Sequence, residues 1–314
     1  MQSISTRAIG LVCASALLWG LYWMPVRALN DFGITGIWTA ILLSITGFIA
    51  SLPFLLIGTG AIGRIGWPHI LGALGIGSAF ALYGIALSFT DIIRVVLLFY
   101  LAPAWSTIIE CLFFGRKFTI RSFSGLLLSF IGIVVIFRGE LPLDGLGALG
   151  DWLALLAGLS WSIGSSLMFL SRKISVTAMT TASFVGAFVV ASICVVLFNE
   201  FSVIGISTQS NDVSNSFQSA GTVISVLTNH WQKLLLVCTL LGFFYLVPVT
   251  ATTLWGATQI PPALMSFLLT LEIIAAVASS AILLGERFGL IELLGTALII
   301  AGALVEFVRV NDHT

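Results

Sequence analysis

Glu272 is the side chain whose position most suggests chemistry, because it falls ten residues into an apolar run that begins at Pro262. At 1.5 Å per residue this is about 15 Å, the middle of a hydrocarbon core about 30 Å thick. A carboxylate at that depth is costly unless it is protonated, paired or hydrated, so we expect it to face the interior of a helix bundle. Three roles stay open: proton coupling, binding of a substrate ammonium, and a structural interhelical hydrogen bond.

Two further charged side chains lie nearer the ends of one apolar run. Arg94 follows Asp91 at the start of this run, where it either extends to the lipid headgroups or contacts a substrate carboxylate, which a guanidinium binds in a forked geometry. Glu110 lies near the other end of the run. We expect Glu110 to extend toward the headgroups or to pair with Arg116.

Polar aromatic residues recur in the middle of apolar runs rather than at their ends, where membrane-interface belts place them. Trp19, Tyr22 and Trp23 are spaced to share one helix face, and Ser165 is expected to widen the same cavity. The others are Tyr83, Tyr100, Trp161 and Tyr245. A hydroxyl or indole N–H in mid-span needs a partner, which a cavity wall supplies through water or a ligand; core packing is the alternative.

Catalytic and metal-binding signatures are missing from the sequence. The three histidines fall in expected loops or the tail, no HExxH or glycine-rich phosphate loop occurs, and the four cysteines lie within apolar runs. We therefore expect no enzyme, no catalytic residue, no metal and no cofactor. Because 13 basic and 13 acidic residues balance, nucleic acid is not an expected partner either.

The elements that must position these residues are membrane helices. Of the 314 residues 59% are hydrophobic and only 8% charged, and the mean hydropathy is +1.13, whereas soluble proteins carry about a quarter charged residues. The apolar runs predict an all-α polytopic membrane protein with ten transmembrane helices. The predicted spans are 8–29, 36–57, 68–88, 92–114, 121–138, 150–171, 177–198, 233–254, 262–284 and 289–309.

One connection is long, and the basic residues suggest an orientation. Residues 199–232 begin with a polar stretch and continue with apolar residues from Val223 to Leu227, so the segment is either a disordered linker or, in its second part, an amphipathic helix in the interface. If both termini are cytoplasmic, 8 of the 13 basic residues lie on the inner side. We expect this orientation, which makes residues 199–232 extracytoplasmic.

An internal repeat predicts the architecture. A shift of 170 residues without a gap superposes five pairs: Gly115 and Gly285, Phe118 and Phe288, Gly125 and Gly295, Gly132 and Gly302, Phe137 and Phe307. A weaker match, at a shift of 142, pairs Leu18-Trp19-Gly20 with Ser160-Trp161-Ser162. We predict two five-helix repeats, residues 1–145 and 146–314, the second with its insertion at about 199–232. An odd number of spans inverts one repeat relative to the other and places a substrate site between them.

The motif residues also resemble a known family. Leu18-Trp19-Gly20, the run from Tyr100 to Pro103 and the two glycine-spaced helices are similar to the EamA-type proteins of the drug/metabolite transporter superfamily. The resemblance extends over residues 8–310. It implies ten helices in a 5 + 5 inverted repeat around a central cavity, with spans five and ten at the periphery.

These observations predict a secondary-active or facilitative transporter of a small polar organic solute, amino-acid-like or a related metabolite, that works by alternating access. The alternative is a passive channel or a receptor or scaffold without transport activity. The expected partners are the solute, membrane lipid and, under proton coupling, protons. The expected location is the plasma (inner) membrane. Glu272, Arg94 and the polar aromatic residues are the expected substrate contacts.

Overall fold

The computed structural model describes residues 5–57, 66–87, 89, 95, 98–115, 117–136, 149–170, 175–203, 220–284 and 289–312, and across these ranges the chain is helical without strands. The helices, in chain order, are α1 (Thr6–Trp19), α2 (Trp23–Asn30), α3 (Ile37–Ile57), α4 (Trp67–Ala86), α5 (Ala102–Phe113), α6 (Ile120–Ile136), α7 (Leu149–Leu170), α8 (Val176–Val203), α9 (Ala220–Asn229), α10 (Trp231–Leu241), α11 (Val247–Gln259), α12 (Pro262–Leu269), α13 (Leu271–Leu284) and α14 (Leu290–Asp312).

Within the described ranges, six helical segments are long and apolar enough to cross a membrane, which makes the chain an integral membrane protein. They are Thr6–Asn30, Ile37–Ile57, Trp67–Ala86, Leu149–Leu170, Val176–Leu197 and Trp231–Gln259. These segments coincide with the first, second, third, sixth, seventh and eighth predicted spans. The apolar helices at Ile120–Gly132, Pro262–Ala276 and Leu293–Gly302 are shorter, and the fourth predicted span is described only in part, so ten spans stay a prediction.

The first span is not one regular helix. Between α1 and α2 the chain forms a tighter turn, in which the N–H groups of Leu21 and Tyr22 donate three residues back, to Leu18 (2.9 Å) and Trp19 (2.8 Å). Pro25 has no N–H to donate to the carbonyl of Leu21, which instead accepts from Met24 (2.9 Å). The sequence did not predict this break beside Trp19, Tyr22 and Trp23.

The ninth and fourth spans are interrupted in a similar way. Between α12 and α13, the N–H of Thr270 donates to Phe267 (3.2 Å) and its hydroxyl donates to the same carbonyl (2.6 Å). Tyr100 and Leu101 form a turn just before α5, which has Pro103 near its start. Tyr100 and Thr270 are 170 residues apart, which is the shift that superposes the five glycine and phenylalanine pairs.

The ninth span packs against α1 and the fourth span packs against α7, at closely matching positions. A Cβ placed on Gly20 would overlap the backbone carbonyl of Glu272, so α1 and α13 meet through their backbones. Ser162 of α7 follows Gly20 by 142 residues. Its hydroxyl donates to the carbonyl of Ala102 at 3.0 Å. Ala102 precedes Glu272 by 170 residues.

The repeat glycines form the contact between α6 and α14. A Cβ on Gly132 would lie 2.7 Å from the carbonyl oxygen of Gly295, and a Cβ on Gly302 would lie 2.7 Å from that of Gly125. All four glycines superpose under the 170-residue shift. Small residues at these positions let the two helix backbones approach closely, as in other membrane helix pairs.

The eighth span is longer than predicted, because α10 continues through a π-helical segment, Gly242–Leu246, into α11. Pro248 has no N–H for the carbonyl of Phe244, which favours this irregularity. The second part of the 199–232 stretch is also helical: it forms α9, whose Val223 is buried. A disordered linker is therefore wrong for α9, while residues 204–219 lie outside the described residues.

Candidate functional site

A cavity of about 890 Å³ lies between the interrupted spans and helices α3, α4 and α7. Seven of the ten predicted site residues line it: Trp19, Tyr22, Trp23, Tyr83, Tyr100, Trp161 and Glu272. Its volume is within the range of pockets that enclose small organic ligands, about 300–1,000 Å³. The remaining wall is mostly apolar and includes Phe80, Phe99 and Phe184.

Glu272 lies at the deep end of this cavity, in the first turn of α13. The break at Thr270 places the carboxyl at a helix N-terminus, where the peptide dipoles favour a negative charge. The buried Tyr100 hydroxyl approaches the Glu272 carboxyl without meeting the geometry of a hydrogen bond. The arrangement offers a ligand one acidic group beside an aromatic wall.

One group of aromatic rings lines the cavity from α1, α4 and α7. The ring centroid of Trp19 lies 5.6 Å from that of Tyr22 and 5.0 Å from that of Phe80, which in turn lies 6.5 Å from Trp161. The indole N–H of Trp19 donates to the Thr253 hydroxyl of α11 at 2.9 Å. This bond fixes the ring and leaves its carbon surface to the cavity.

A second group of rings comes from α4 and the turn before α5. The Phe99 ring lies 4.9 Å from Tyr83 and 5.6 Å from Tyr100, both in edge-on geometry. Trp23 completes the wall near α13, where its indole N–H donates to the Ser279 hydroxyl at 3.0 Å. As with Trp19, the polar edge of this indole is satisfied by the protein.

The cavity reaches the surface at the end of α2, where its lining residues Arg27 and Asn30 are exposed. The sequence did not predict Arg27 as a cavity residue, because Arg27 lies near the outer end of the first predicted span. Its spacing gave a usable signal, since Arg27 follows Trp23 by four residues and so shares its helix face.

At the opposite end of the bundle, α5 packs against α12 in a buried contact that closes the space between these two helices. The Ser106 and Ser266 hydroxyls are 2.9 Å apart, and a carboxyl oxygen of Glu110 accepts the backbone N–H of Ala263 at 2.9 Å. Glu110 is only 1% exposed. The prediction that Glu110 extends toward the headgroups is therefore wrong, because this carboxyl caps the start of α12 instead.

Two predicted site residues, Ser165 and Tyr245, are not among the described residues that line the cavity. The Ser165 hydroxyl is buried and donates to the Ser162 carbonyl at 3.3 Å. The Tyr245 hydroxyl donates to the Leu18 carbonyl at 2.7 Å. Arg94 lies outside the described residues. Across the part of the chain that the structure describes, no three His, Cys, Asp or Glu side chains come together as a metal site would need.

Known proteins are similar to this chain in sequence and in fold. Residues 6–138 match the EamA-like transporter family, which belongs to the drug/metabolite transporter superfamily, so the resemblance seen in the motif residues is confirmed over this range. A solved structure described only as "Crystal structure of protein" has a similar fold, with a TM-score of 0.67 and 16% identity over 98% of this chain and 97% of that chain. No curated protein matches the sequence.

Proposed function

We propose that the protein is a secondary-active or facilitative transporter of a small polar organic solute, amino-acid-like or a related metabolite, working by alternating access. The observation that supports this most directly is a cavity deep in the bundle that opens beside Arg27 and contains Glu272, with the buried contact between α5 and α12 at the opposite end of the bundle. The match of residues 6–138 to a transporter family agrees with it.

The proposed architecture is the inverted repeat of residues 1–145 and 146–314. Three features support it: the helix breaks at Tyr100 and Thr270, the contacts of Gly20 and Ser162 with carbonyls 170 residues apart, and the crossing of α6 and α14 at the repeat glycines. Rocking of one repeat against the other would open and close the two ends of the cavity in turn. Interrupted helices in the cavity wall suit such a movement.

The proposed site comprises Glu272 with the aromatic residues around the cavity. Arg94, Ser165 and Tyr245 are proposed contacts that would reach the solute in another conformation. The proposed setting is the plasma membrane with both termini cytoplasmic. A passive channel is less well supported, because α5 and α12 close the space between them at the end of the bundle opposite the opening.

Counterflow in proteoliposomes tests the proposal. A thermal-shift screen of amino acids, amines and metabolites in detergent identifies a ligand first, because a ligand that binds the folded state raises its stability by RT ln(1 + [L]/Kd). Liposomes preloaded with this ligand should then accumulate the labelled compound transiently above equilibrium, with an initial rate that saturates. Flux that does not saturate, with no counterflow, would instead indicate a channel.

A further inference from the structure

The charges around the cavity are distributed unevenly. Among the described lining residues, Glu272 and Arg27 carry charge, and they lie at opposite ends. The backbone of Gly20 contacts that of Glu272, while Arg27 follows Gly20 by seven residues, about 10 Å along a helix, and is exposed. The interior of the cavity therefore presents a carboxyl group, and the guanidinium lies at its opening.

The aromatic rings also favour a cation in the interior of the cavity. Trp19 and Trp23 donate their N–H groups to Thr253 and Ser279, so these indoles have no N–H left for a ligand carboxylate. Their exposed ring faces, like those of Phe80 and Phe99, carry the negative side of an aromatic quadrupole. Such faces attract a cation within about 6 Å of the ring centroid.

A zwitterionic α-amino acid fits this distribution poorly. With its ammonium group at Glu272, its carboxylate, attached to the same carbon, would lie among the negative faces of the rings. None of the described side chains that line this deep part of the cavity is cationic. Tyr22, Tyr83 and Tyr100 also line the cavity, but their hydroxyls are neutral donors, which stabilise a buried carboxylate less well than a cationic partner does.

We propose that the transported solute is an organic cation, an amine or quaternary ammonium with an aromatic or aliphatic body and no carboxylate. The inference rests on the proposed transport function, which it narrows from amino-acid-like solutes in general, and it leaves no substrate carboxylate for Arg94 to bind. Glu272 is the counter-ion, and the rings around it desolvate the body of the solute. Arg27 at the opening repels any cation, so burial of the apolar body of the solute against the rings has to offset this repulsion.

Three probes with one phenyl ring and similar length test the charge preference: phenethylamine, phenylalanine and 3-phenylpropionate. Their dissociation constants are measured on the purified full-length protein in detergent, by tryptophan fluorescence and thermal shift. Phenethylamine should bind at least about tenfold more tightly than phenylalanine, a difference on the scale of one charge-assisted hydrogen bond. Phenylpropionate should not bind at the same concentrations.

Variants then assign the preference to the cavity. Glu272→Gln should weaken phenethylamine binding by about tenfold or more, whereas Asp31→Asn, which removes an exposed carboxyl that does not line the cavity, should leave it unchanged. Tyr83→Leu, which removes one of the rings that line the cavity, should weaken phenethylamine binding. If a variant fails to fold, the probe series on the unmodified protein still decides.

The outcomes separate this inference from the proposed function. Phenylalanine binding as tightly as phenethylamine, or no binding by any probe, would overturn the cation class and leave transport to be judged by counterflow of another solute. Phenethylamine that binds through Glu272 but shows no counterflow in proteoliposomes would refute transport of that cation while retaining the cation site.

Discussion

Glu272 allows two mechanisms that one substitution separates. Glu272→Gln retains the shape of the side chain and its hydrogen bonding but removes its charge and titration, so the protein should fold and insert normally. If the carboxyl couples transport to protons, driven uptake should be lost while exchange of preloaded solute survives. If the carboxyl binds the solute cation, both activities should fall, with affinity lowered by about 1.5–3 kcal/mol. Uptake and exchange in proteoliposomes provide the measurement.

The pH dependence of transport supplies a second test of the same residue. Proton coupling requires wild-type uptake to change with pH while uptake by Glu272→Gln does not. Wild-type behaviour of the variant between about pH 5.5 and 8, with unchanged affinity, would leave Glu272 only a structural role between α1 and α13. Asp31→Asn is the matched control, because it removes an exposed carboxyl and should retain the wild-type profile.

Individual residues could be predicted where depth in the membrane was the deciding property. Trp19, Tyr83 and Tyr100 were expected around a cavity because they lie in mid-span, and the structure places them there. Extension of Glu110 toward the headgroups was wrong because the distance from the end of an apolar run says nothing about neighbouring helices, whereas its pairing with Arg116 lies outside the described residues. The carboxyl of Glu110 accepts the N–H of Ala263, which has no acceptor within α12 and lies 153 residues away in sequence. Only the tertiary packing brings these two groups together.

The crossing of the first span and α13 depends on Gly20, and a comparison with Gly10 of α1 tests this. Gly20→Ala would place a methyl group on the Glu272 carbonyl and on Ala275, so we expect it to lower the free energy of unfolding by about 1–3 kcal/mol. Gly10→Ala meets nothing within 4 Å and should be neutral or slightly stabilising, because alanine favours helix. Thermal unfolding in detergent measures both.

Equal unfolding temperatures for the two variants would show that the bundle adjusts freely at Gly20, contrary to a close crossing. The expected result has a consequence for transport as well. Because Gly20 contacts the backbone of Glu272, a shift of α13 away from α1 would displace the carboxyl, so any folded Gly20→Ala protein should also bind its ligand more weakly than Gly10→Ala does.

The buried contact between α5 and α12 depends on Glu110 as the acceptor for α12. Glu110→Gln retains a carbonyl oxygen for the Ala263 N–H and should keep most of the stability, whereas Glu110→Ala leaves that N–H without this acceptor and should cost about 1–3 kcal/mol. Thermal unfolding measures the difference. Ser106→Ala, which removes the neighbouring bond to Ser266, should cost about 1 kcal/mol, a typical hydrogen bond. If Glu110→Ala unfolds like Glu110→Gln, this contact does not hold the two helices together.

At the scale of elements, the apolar runs predicted where helices lie but not where they break. A run of about 20 apolar residues suffices to locate a span, and six long segments coincide with predicted ones. The turn at Gly20–Tyr22, the turn at Thr270 and the π-helical segment before Pro248 depend on which neighbouring group satisfies each freed backbone atom. A proline marks two of these places in the sequence, yet it does not specify the resulting geometry.

For the whole molecule, the repeat and the helix contacts point to one arrangement. The glycines that superposed under the 170-residue shift are the ones through which α6 and α14 cross. Their coincidence could be found in the sequence because close packing restricts such positions to small residues. Which face of the membrane each loop occupies is a separate question, since the internal contacts of the bundle are the same in either orientation.

The basic residues predict an orientation that can be tested directly. If both termini are cytoplasmic, the loop before α6 lies inside and residues 200–230 lie outside. Single cysteines at Arg121 and Ser214 are placed in a protein in which Cys13, Cys111, Cys194 and Cys238 are replaced by alanine. An impermeant thiol reagent applied to intact cells should label position 214 but label position 121 only after lysis. Labelling of position 121 in intact cells would reverse the orientation, and with it the side on which the cavity beside Arg27 opens.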